Sequence, residues 1–552
     1  MPTRITLVVV WALVLGVFLS STIALGLTSP FQNINEVATR LGFNHYARIK
    51  GQNKVKIAIL DNGFRGYQKE IGKTLPRNTV YHPGPVAVDP ETEESHGLFM
   101  AQIVSGLLSH TSHIKYELHL YSAFGYTNFE AAVNDAIESG IDVVLFSQVW
   151  EYGGNGDGRG FINKVVTRAI NNGVIWINAA GNFATGTFKA PIVESRDKWV
   201  KLPGPNDSVR VRCTPFKPGE KCALRAVLSW NDFKDDVRLG TDKDLDLILT
   251  DDTLRIIASS GFRQMKTIPN PPPPGASLYP RELIRVELEP GLYYLRAKMR
   301  SSNFKRNRDQ LRFTISGENI QLLDTTTGET LLPPADHPKV ITVGALDSER
   351  SSSSAKMRKP ELKAASLITL KNREQYLGTS NSAAFAAAAT VVLKALNEDL
   401  TRDELVRLLS GGRTSNTPFG QGLPLEILGF WPVGSGCFPA TSLPFQTPQV
   451  LLPFFQTGAM VVQSTMGPKV FVSFDPFEEV GIQRIRHDDM LVAGQYGFQR
   501  LPRANQPYLI MNGLVEVVET PRGQRVCPLV PGGPYPPLGS QGGILRLPPP
   551  RF

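Results

Sequence analysis

The chain shows no internal repeat at periods of about 20–50 residues, which excludes solenoid and propeller architectures. It carries a formal charge of +9 but no basic stripe interleaved with aromatics. Nucleic-acid binding therefore finds no support, and the charge implies no more than a general preference for anionic surfaces. One glycine-rich segment, Glu151-Tyr-Gly-Gly-Asn-Gly-Asp-Gly158, lacks the Gly-Lys-Ser/Thr ending of a phosphate-binding loop and reads as a flexible connection. Cysteine is scarce, four residues in 552, enough for two disulfides at most. What the chain has is apolar mass. With 41% hydrophobic residues over 552 positions it can bury a large core and divide into two to four domains.

The N-terminus combines Arg4 with the apolar stretch Leu7–Leu19 and small residues at Ser20, Ser21, Ala24 and Gly26. This is the layout of an export signal over residues 1–27, cleaved after Ala24 or Gly26. The competing reading is a retained anchor, since Ile5–Leu27 as a helix would be about 35 Å long and span a bilayer. Polar Ser20-Ser21-Thr22 interrupts the run and favours cleavage. The expected location is secreted, periplasmic or cell-envelope, with membrane attachment only through an uncleaved anchor. In an exported chain the four cysteines are expected to pair. Cys213 and Cys222 are close enough to close a hairpin, which leaves Cys437 with Cys527 across a loop whose closure contributes roughly 4 kcal/mol.

Chemistry concentrates in a few stretches. Tyr376-Leu-Gly-Thr-Ser-Asn-Ser-Ala-Ala-Phe-Ala-Ala-Ala-Ala389 places Ser380 where a turn enters an alanine-rich helix. Free backbone N–H groups at such a junction suit a nucleophile whose reaction builds negative charge on a neighbouring oxygen. A serine nucleophile needs a base, and the base needs an orienting acid. Lys54–Gly63 is an apolar strand ending in Asp61, where open α/β sheets place their sites. His96-Gly97 opens an amphipathic, helical run. Gly173-Val-Ile-Trp-Ile-Asn-Ala-Ala-Gly-Asn182 is a second apolar strand ending in a side-chain amide able to donate to an oxyanion.

These segments, in the order Asp, His, Asn, Ser, resemble the subtilisin-like serine peptidases. Asp142–Ser147, His337–Ala345 and Lys359–Ala365 support the register, and the resemblance covers roughly residues 31–190 and 335–415. It implies a catalytic triad of Asp61, His96 and Ser380, with Asn182 in the oxyanion hole. It places substrate-binding residues at Ser147, Gln148, Val149, Ala180 and Gly181. It also implies protein or peptide substrates and no cofactor for catalysis. The chain departs from the family pattern at Asn62, at Leu98-Phe99 after His-Gly, at Ala384 where a proline is usual, and at Ser147-Gln148-Val149 in place of Ser-Leu-Gly. The first expectation is an exported serine endopeptidase. The second is a catalytically weak or inert peptide-binding or envelope-assembly protein on the same scaffold.

The fold class expected is α/β: a subtilisin-like parallel sheet with helices on both faces, an inserted β-sandwich and a small C-terminal β-rich domain. The catalytic domain would occupy residues 28–191 and 331–415, with too little room before it for the long folding leader of many relatives. The insert is expected at 192–330, where strand-like alternation runs through Ala223–Asp232, Asp244–Thr250 and Leu283–Ala297. Asp232, Asp235, Asp236, Asp242, Asp244 and Asp246 would supply oxygens to a structural calcium ion, or else be solvated turn carboxylates. The proline-rich loop Pro269–Pro274 is a candidate contact element if the insert overhangs the cleft. Residues 416–527 read as β-rich and 528–552 as an extended tail.

Overall fold

The computed structural model describes residues 27–89 and 93–409, and after them a set of strands between Trp431 and Leu529. The expected export signal and the tail from 530 onward lie outside the described residues. In chain order the first elements are α1 (Ile34–Arg40), β1 (Lys54–Asp61), β2 (Val80–His82), α2 (His96–Leu108), β3 (Lys115–Ser122), α3 (Gly125–Glu138), β4 (Val143–Phe146), α4 (Phe161–Asn171) and β5 (Ile175–Ala179). Nine β-elements follow in the insert: β6 (Thr187–Pro191), β7 (Val209–Cys213), β8 (Cys222–Trp230), β9 (Leu245–Thr250), β10 (Ile256–Ser260), the short pair β11 (Arg263–Gln264) and β12 (Ala276–Ser277), β13 (Arg281–Leu288) and β14 (Gly291–Met299). The insert closes with β15 (Gln310–Ser316) and β16 (Ile320–Leu322). The first part of the fold then resumes with β17 (Ile341–Ala345), β18 (Leu362–Ala364), β19 (Ile368–Thr369), β20 (Gln375–Tyr376), α5 (Thr379–Leu396) and α6 (Arg402–Leu409).

The main sheet runs β2-β3-β1-β4-β5-β17-β18, all parallel, with Trp431–Pro432 added antiparallel at one edge. Its central strands β1, β4, β5 and β17 are buried on both faces along nearly all their length, as their near-continuous apolar runs require. On β1, Ile57 and Ile59 join the core that includes α1, α2, α5 and α6, while Ala58 and Leu60 join the core against α3 and α4. The period-two alternation of a strand thus feeds two helical layers at once. Along α5 the alanines at 383, 384 and 386–389 are wholly buried. A helix with so little side-chain bulk lies close to the strands beneath it, and this carries Ser380 to the sheet's active edge. Helix α6 opens with a capping box, Glu404 Oε2 accepting from Thr401 N at 2.9 Å and from Thr401 Oγ1 at 2.7 Å.

The insert is a two-sheet sandwich. One sheet runs β10-β9-β14-β7-β16, the other β13-β8-β15-β6, and they share one core of residues such as Val209, Leu228, Leu249, Leu295 and Phe313. The sandwich opens at Thr187 rather than at 192. Thr187-Phe-Lys-Ala-Pro191 has no clean apolar alternation and gains its strand character only by pairing with β15. Cys213 and Cys222 are bridged as expected, but β7 and β8 belong to different sheets, so the bridge ties the two sheets together instead of closing a hairpin. The second expected pairing falls on Cys437, which lies outside the described residues. The main sheet's strands β5 and β17 are hydrogen-bonded neighbours, so the whole sandwich is spliced between two adjacent strands.

The glycine-rich segment at 151–158 is not a free connection, because the sandwich pins it. Glu151 pairs with Arg225, with Nε at 2.8 Å. Asn155 exchanges two hydrogen bonds with the Phe233 backbone, at 3.0 and 2.9 Å, and Gly160 N donates to Asp235 at 3.0 Å. The guanidinium of Arg281 stacks on Tyr152 at 3.9 Å. The insert's proline-rich loop, by contrast, is mostly exposed. Most of the six aspartates expected as calcium ligands are committed elsewhere: Asp232 to Lys234 and Thr241, Asp235 to Gly160, Asp236 to Arg238, Asp242 to Lys266 and Asp246 to Arg300. Among the described residues no group of three or more His, Cys, Asp or Glu side chains is arranged to hold a metal ion, and no helix is long and apolar enough to cross a membrane.

The close approach of α5 gives a direct test. Ala388→Leu adds three carbons where no space exists and should destabilise the protein by about 1–3 kcal/mol. Thermal unfolding followed by circular dichroism would read this as a lowered Tm, and an unchanged Tm would mean that α5 does not need its small side chains.

Candidate active site

Parallel neighbours β1, β4 and β5 end side by side, and each delivers part of the site. Asp61 is the last residue of β1, Ser147-Gln148 follows β4, and Gly181-Asn182 follows β5. The chain places β3 on one side of β1 and β4 on the other, so this edge is a topological switch point, where open α/β sheets form their crevices.

Asp61 is fully buried, and its Oδ2 accepts from His96 Nδ1 at 2.8 Å. Its Oδ1 accepts from Asn62 N at 2.8 Å and from Gln148 Nε2 at 3.1 Å. His96 is the first residue of α2, with a side chain one-third exposed (33%). Steric fit explains the glycine beside it. A Cβ on Gly97 would lie 2.6 Å from a Phe64 ring carbon, 2.7 Å from Asp61 Cβ and 2.7 Å from Gly63 O. Two backbone bonds, Gly97 N to Gly63 O at 3.0 Å and Arg65 N to Glu94 O at 3.2 Å, bind the loop after β1 to the start of α2. The carboxylate accepts only, so Nδ1 must carry the proton that lies between them, and the lone pair is left on Nε2, the atom a base uses.

Burial acts first on His96 and disfavours its charged form. The charge and hydrogen bond of Asp61, with a smaller contribution from Glu94, outweigh it, and the imidazole titrates above its ordinary 6.5.

Ser380 is the second residue of α5, and Gly378 precedes the helix. At that position its backbone N–H has no partner within the helix. Its hydroxyl donates to Ser147 O at 3.1 Å, and among the described residues no hydrogen bond joins it to His96. Asn182 comes to the same helix end from the other side. Its Oδ1 accepts from both Thr379 N and Thr379 Oγ1, each at 3.2 Å, and Thr379 Oγ1 in turn accepts from Gly181 N at 3.1 Å. Fixing the oxygen fixes the amide, and leaves its NH2 as the free donor beside the Ser380 N–H. Nothing in the sequence but the adjacency in Gly-Thr-Ser pointed to Thr379.

The residues expected to bind substrate divide. Ser147 presents its carbonyl to Ser380, and Val149 packs against a small apolar cluster of Ala180, Leu331 and Ala335. Gly181 adopts φ +90°, and a Cβ there would meet Val149 Cγ2 at 3.1 Å. Gln148 turns its side chain to Asp61 and not along the edge, a contact between residues 87 positions apart that no local pattern announces.

A buried acid on a histidine, a serine at a helix N-terminus and an amide anchored to that helix end thus lie at one edge of the sheet. The parallel sheet that carries these groups, with Asp61, His96, Asn182 and Ser380 in that chain order, resembles that of the subtilisin-like serine peptidases. No protein-family model matches the chain, and a search of curated proteins returns no match. Similar solved structures include the Clostridium perfringens CspB protease, at 15% identity and TM-score 0.37, covering 67% of this chain and 90% of that one. Another is the nisin leader peptidase NisP from Lactococcus lactis, at 12% identity and TM-score 0.31, covering 69% and 90%. A third is MycP1 from Mycobacterium smegmatis, at 14% identity and TM-score 0.31, covering 70% and 79%. The functional reading rests on the site's own geometry.

Two predictions follow from that geometry. A reaction that needs neutral His96 should gain rate as pH rises, with the midpoint of its acid limb above about 6.5 because the pair with Asp61 favours the imidazolium. Asp61→Asn should move that midpoint down, since burial then acts with less opposition. A wild-type midpoint at or below the ordinary value would contradict the pairing. Gly97→Ala should separate His96 from Asp61 and destabilise the fold by about 1–3 kcal/mol. Retained activity in that variant would mean that the loop accommodates the methyl group.

Proposed function

We propose that the protein is an exported serine endopeptidase that hydrolyses peptide bonds in protein or peptide substrates. The observation that carries this reading is the Asp61–His96 hydrogen bond at 2.8 Å set beside a helix N-terminus bearing Ser380 and an anchored Asn182. In the reaction His96 Nε2 takes the Ser380 hydroxyl proton as the oxygen attacks the peptide carbonyl. Asp61 holds the tautomer and stabilises the imidazolium. The Asn182 amide and the Ser380 N–H receive the oxyanion. His96 then protonates the leaving amine, and water hydrolyses the acyl-enzyme by the same steps in reverse. For the proton to move, Ser380 Oγ must turn from Ser147 O to the imidazole, since catalytic hydrogen bonds are often unmade before substrate binds. Export is supported by the layout of residues 1–27.

The test is hydrolysis of an unfolded protein by the wild type and by Ser380→Ala. Equal rates would end the assignment. Asn182→Ala should lower kcat by about 100- to 1,000-fold with KM little changed, because the amide acts on charge that exists only in the transition state.

One observation favours the second reading, a peptide-binding protein on an inert scaffold: the Ser380 hydroxyl is engaged by Ser147 O and not by the base. Labelling with a fluorophosphonate probe separates the two. Labelling that is lost in His96→Ala supports the enzyme, and wild-type protein that resists the probe supports the scaffold.

A further inference from the structure

The segment after β4 is fixed at nearly every residue. Ser147 O accepts the Ser380 hydroxyl at 3.1 Å. Gln148 O accepts from Asn178 Nδ2 at 3.0 Å, and Asn178 Oδ1 is itself held by the indole of buried Trp176 at 3.0 Å. Val149 packs against Ala180, Leu331 and Ala335. Trp150 N donates to Pro333 O at 2.8 Å. With its backbone held on both sides, Gln148 turns its side chain to the pair, and Nε2 lies 3.1 Å from Asp61 Oδ1 and 3.3 Å from His96 Nδ1.

The chemistry of the three groups decides what the contact does. A carboxylate oxygen accepts only, so the NH2 face of the amide must be the one turned to Asp61. His96 Nδ1 gives its proton to Asp61 Oδ2, so it has no lone pair for Gln148, and the 3.3 Å approach is a neighbour contact, not a second bond. The amide is therefore a dedicated donor to Oδ1. It opposes rotation of the carboxylate, which has no water to turn to at zero exposure. It also draws charge toward Oδ1 and away from the oxygen that faces the imidazole.

We propose that Gln148 is a positioning residue of the Asp61–His96 pair: its side-chain amide locks the Asp61 carboxylate through Oδ1, so that Oδ2 stays aligned on His96 Nδ1. It acts through Asp61 and does not touch the scissile bond. The proposal deepens the peptidase reading and rests on it for its kinetic consequences, though not for the contact itself.

Two variants of nearly the same shape test it. Gln148→Met removes the donor. It should lower kcat by roughly 10-fold through lost alignment, in the range of a hydrogen bond to a charged group, with KM changed less than about twofold. Its acid limb should also move to higher pH, because Oδ2 then faces the imidazolium with its charge less compensated. Gln148→Glu sets a second carboxylate against the first and should move the limb further in the same direction; Asp61 and Glu94 are the charges that raise the wild-type value. The His96 ring titration, followed by NMR in full-length protein labelled at histidine and carrying Ser380→Ala, reads the same shifts with no catalysis required. The ordering wild type, then Met, then Glu in midpoint supports the proposal. Coincident midpoints in wild type and Gln148→Met, or a loss confined to KM, overturn it and return Gln148 to the substrate edge. If Gln148→Met does not fold, Gln148→Leu, which also removes the donor, is read by the same titration, and a midpoint coincident with wild type overturns the proposal. Should Ser380→Ala retain hydrolysis while the NMR midpoints shift, the peptidase reading falls and the positioning role stands.

Discussion

A fully buried carboxylate is the constraint on which the active edge depends. Removing such a charge from water costs several kcal/mol unless donors replace the solvent. Asp61 has three, from the next residue, from the segment after β4 and from the start of α2. Each donor imposes a demand on the rest of the chain. The backbone donor needs the tight turn after β1. The imidazole needs Gly97, since a single added methyl would overlap both Asp61 and Phe64. The amide needs β4 to be the parallel neighbour of β1, which fixes the strand order at the switch point. The large core beneath supplies the rigidity that makes these positions hold.

How much of this was legible in the sequence follows from how local each signal is. Asp61, His96, Asn182 and Ser380 sit in short motifs that singly read as an ordinary turn, histidine, strand end and helix cap, and only their order along the chain sets them apart. The parallel sheet was legible because its strands are apolar on both faces. Gln148 was read as part of the substrate edge, since its partner lies 87 positions away and a glutamine side chain carries no directional signal. Thr379 was visible as a neighbour of the serine, yet its hold on Asn182 spans 197 positions. The six aspartates leave open a ligand set or solvated carboxylates, because sequence shows acids and not the lysines and arginines that fold against most of them. Strand β6 lacked alternation and borrowed its conformation from β15.

The glycine-rich segment at 151–158 shows the same limit from the other side, and it joins the insert to the chemistry. Glycine density reads as freedom, and for an isolated loop it is. Here the missing side chains allow close approach instead: a Cβ on Gly154 would meet Pro333 carbons at 2.8 Å, and one on Gly160 would meet Gly153 O at 2.4 Å. The loop is compact because glycine permits it, and the sandwich holds it through Arg225, Phe233 and Asp235.

That loop continues directly from Ser147-Gln148-Val149. The three residues touch Ser380 through a carbonyl, the Asp61–His96 pair through an amide and Ala180, just after β5, through packing. The insert therefore meets the α/β part at the continuation of the segment that contacts Ser380 and Asp61, and not at the exposed proline-rich loop. The sandwich is spliced between β5 and β17, which remain paired, and its contacts with residues 151–160 tie it to the chain just after β4.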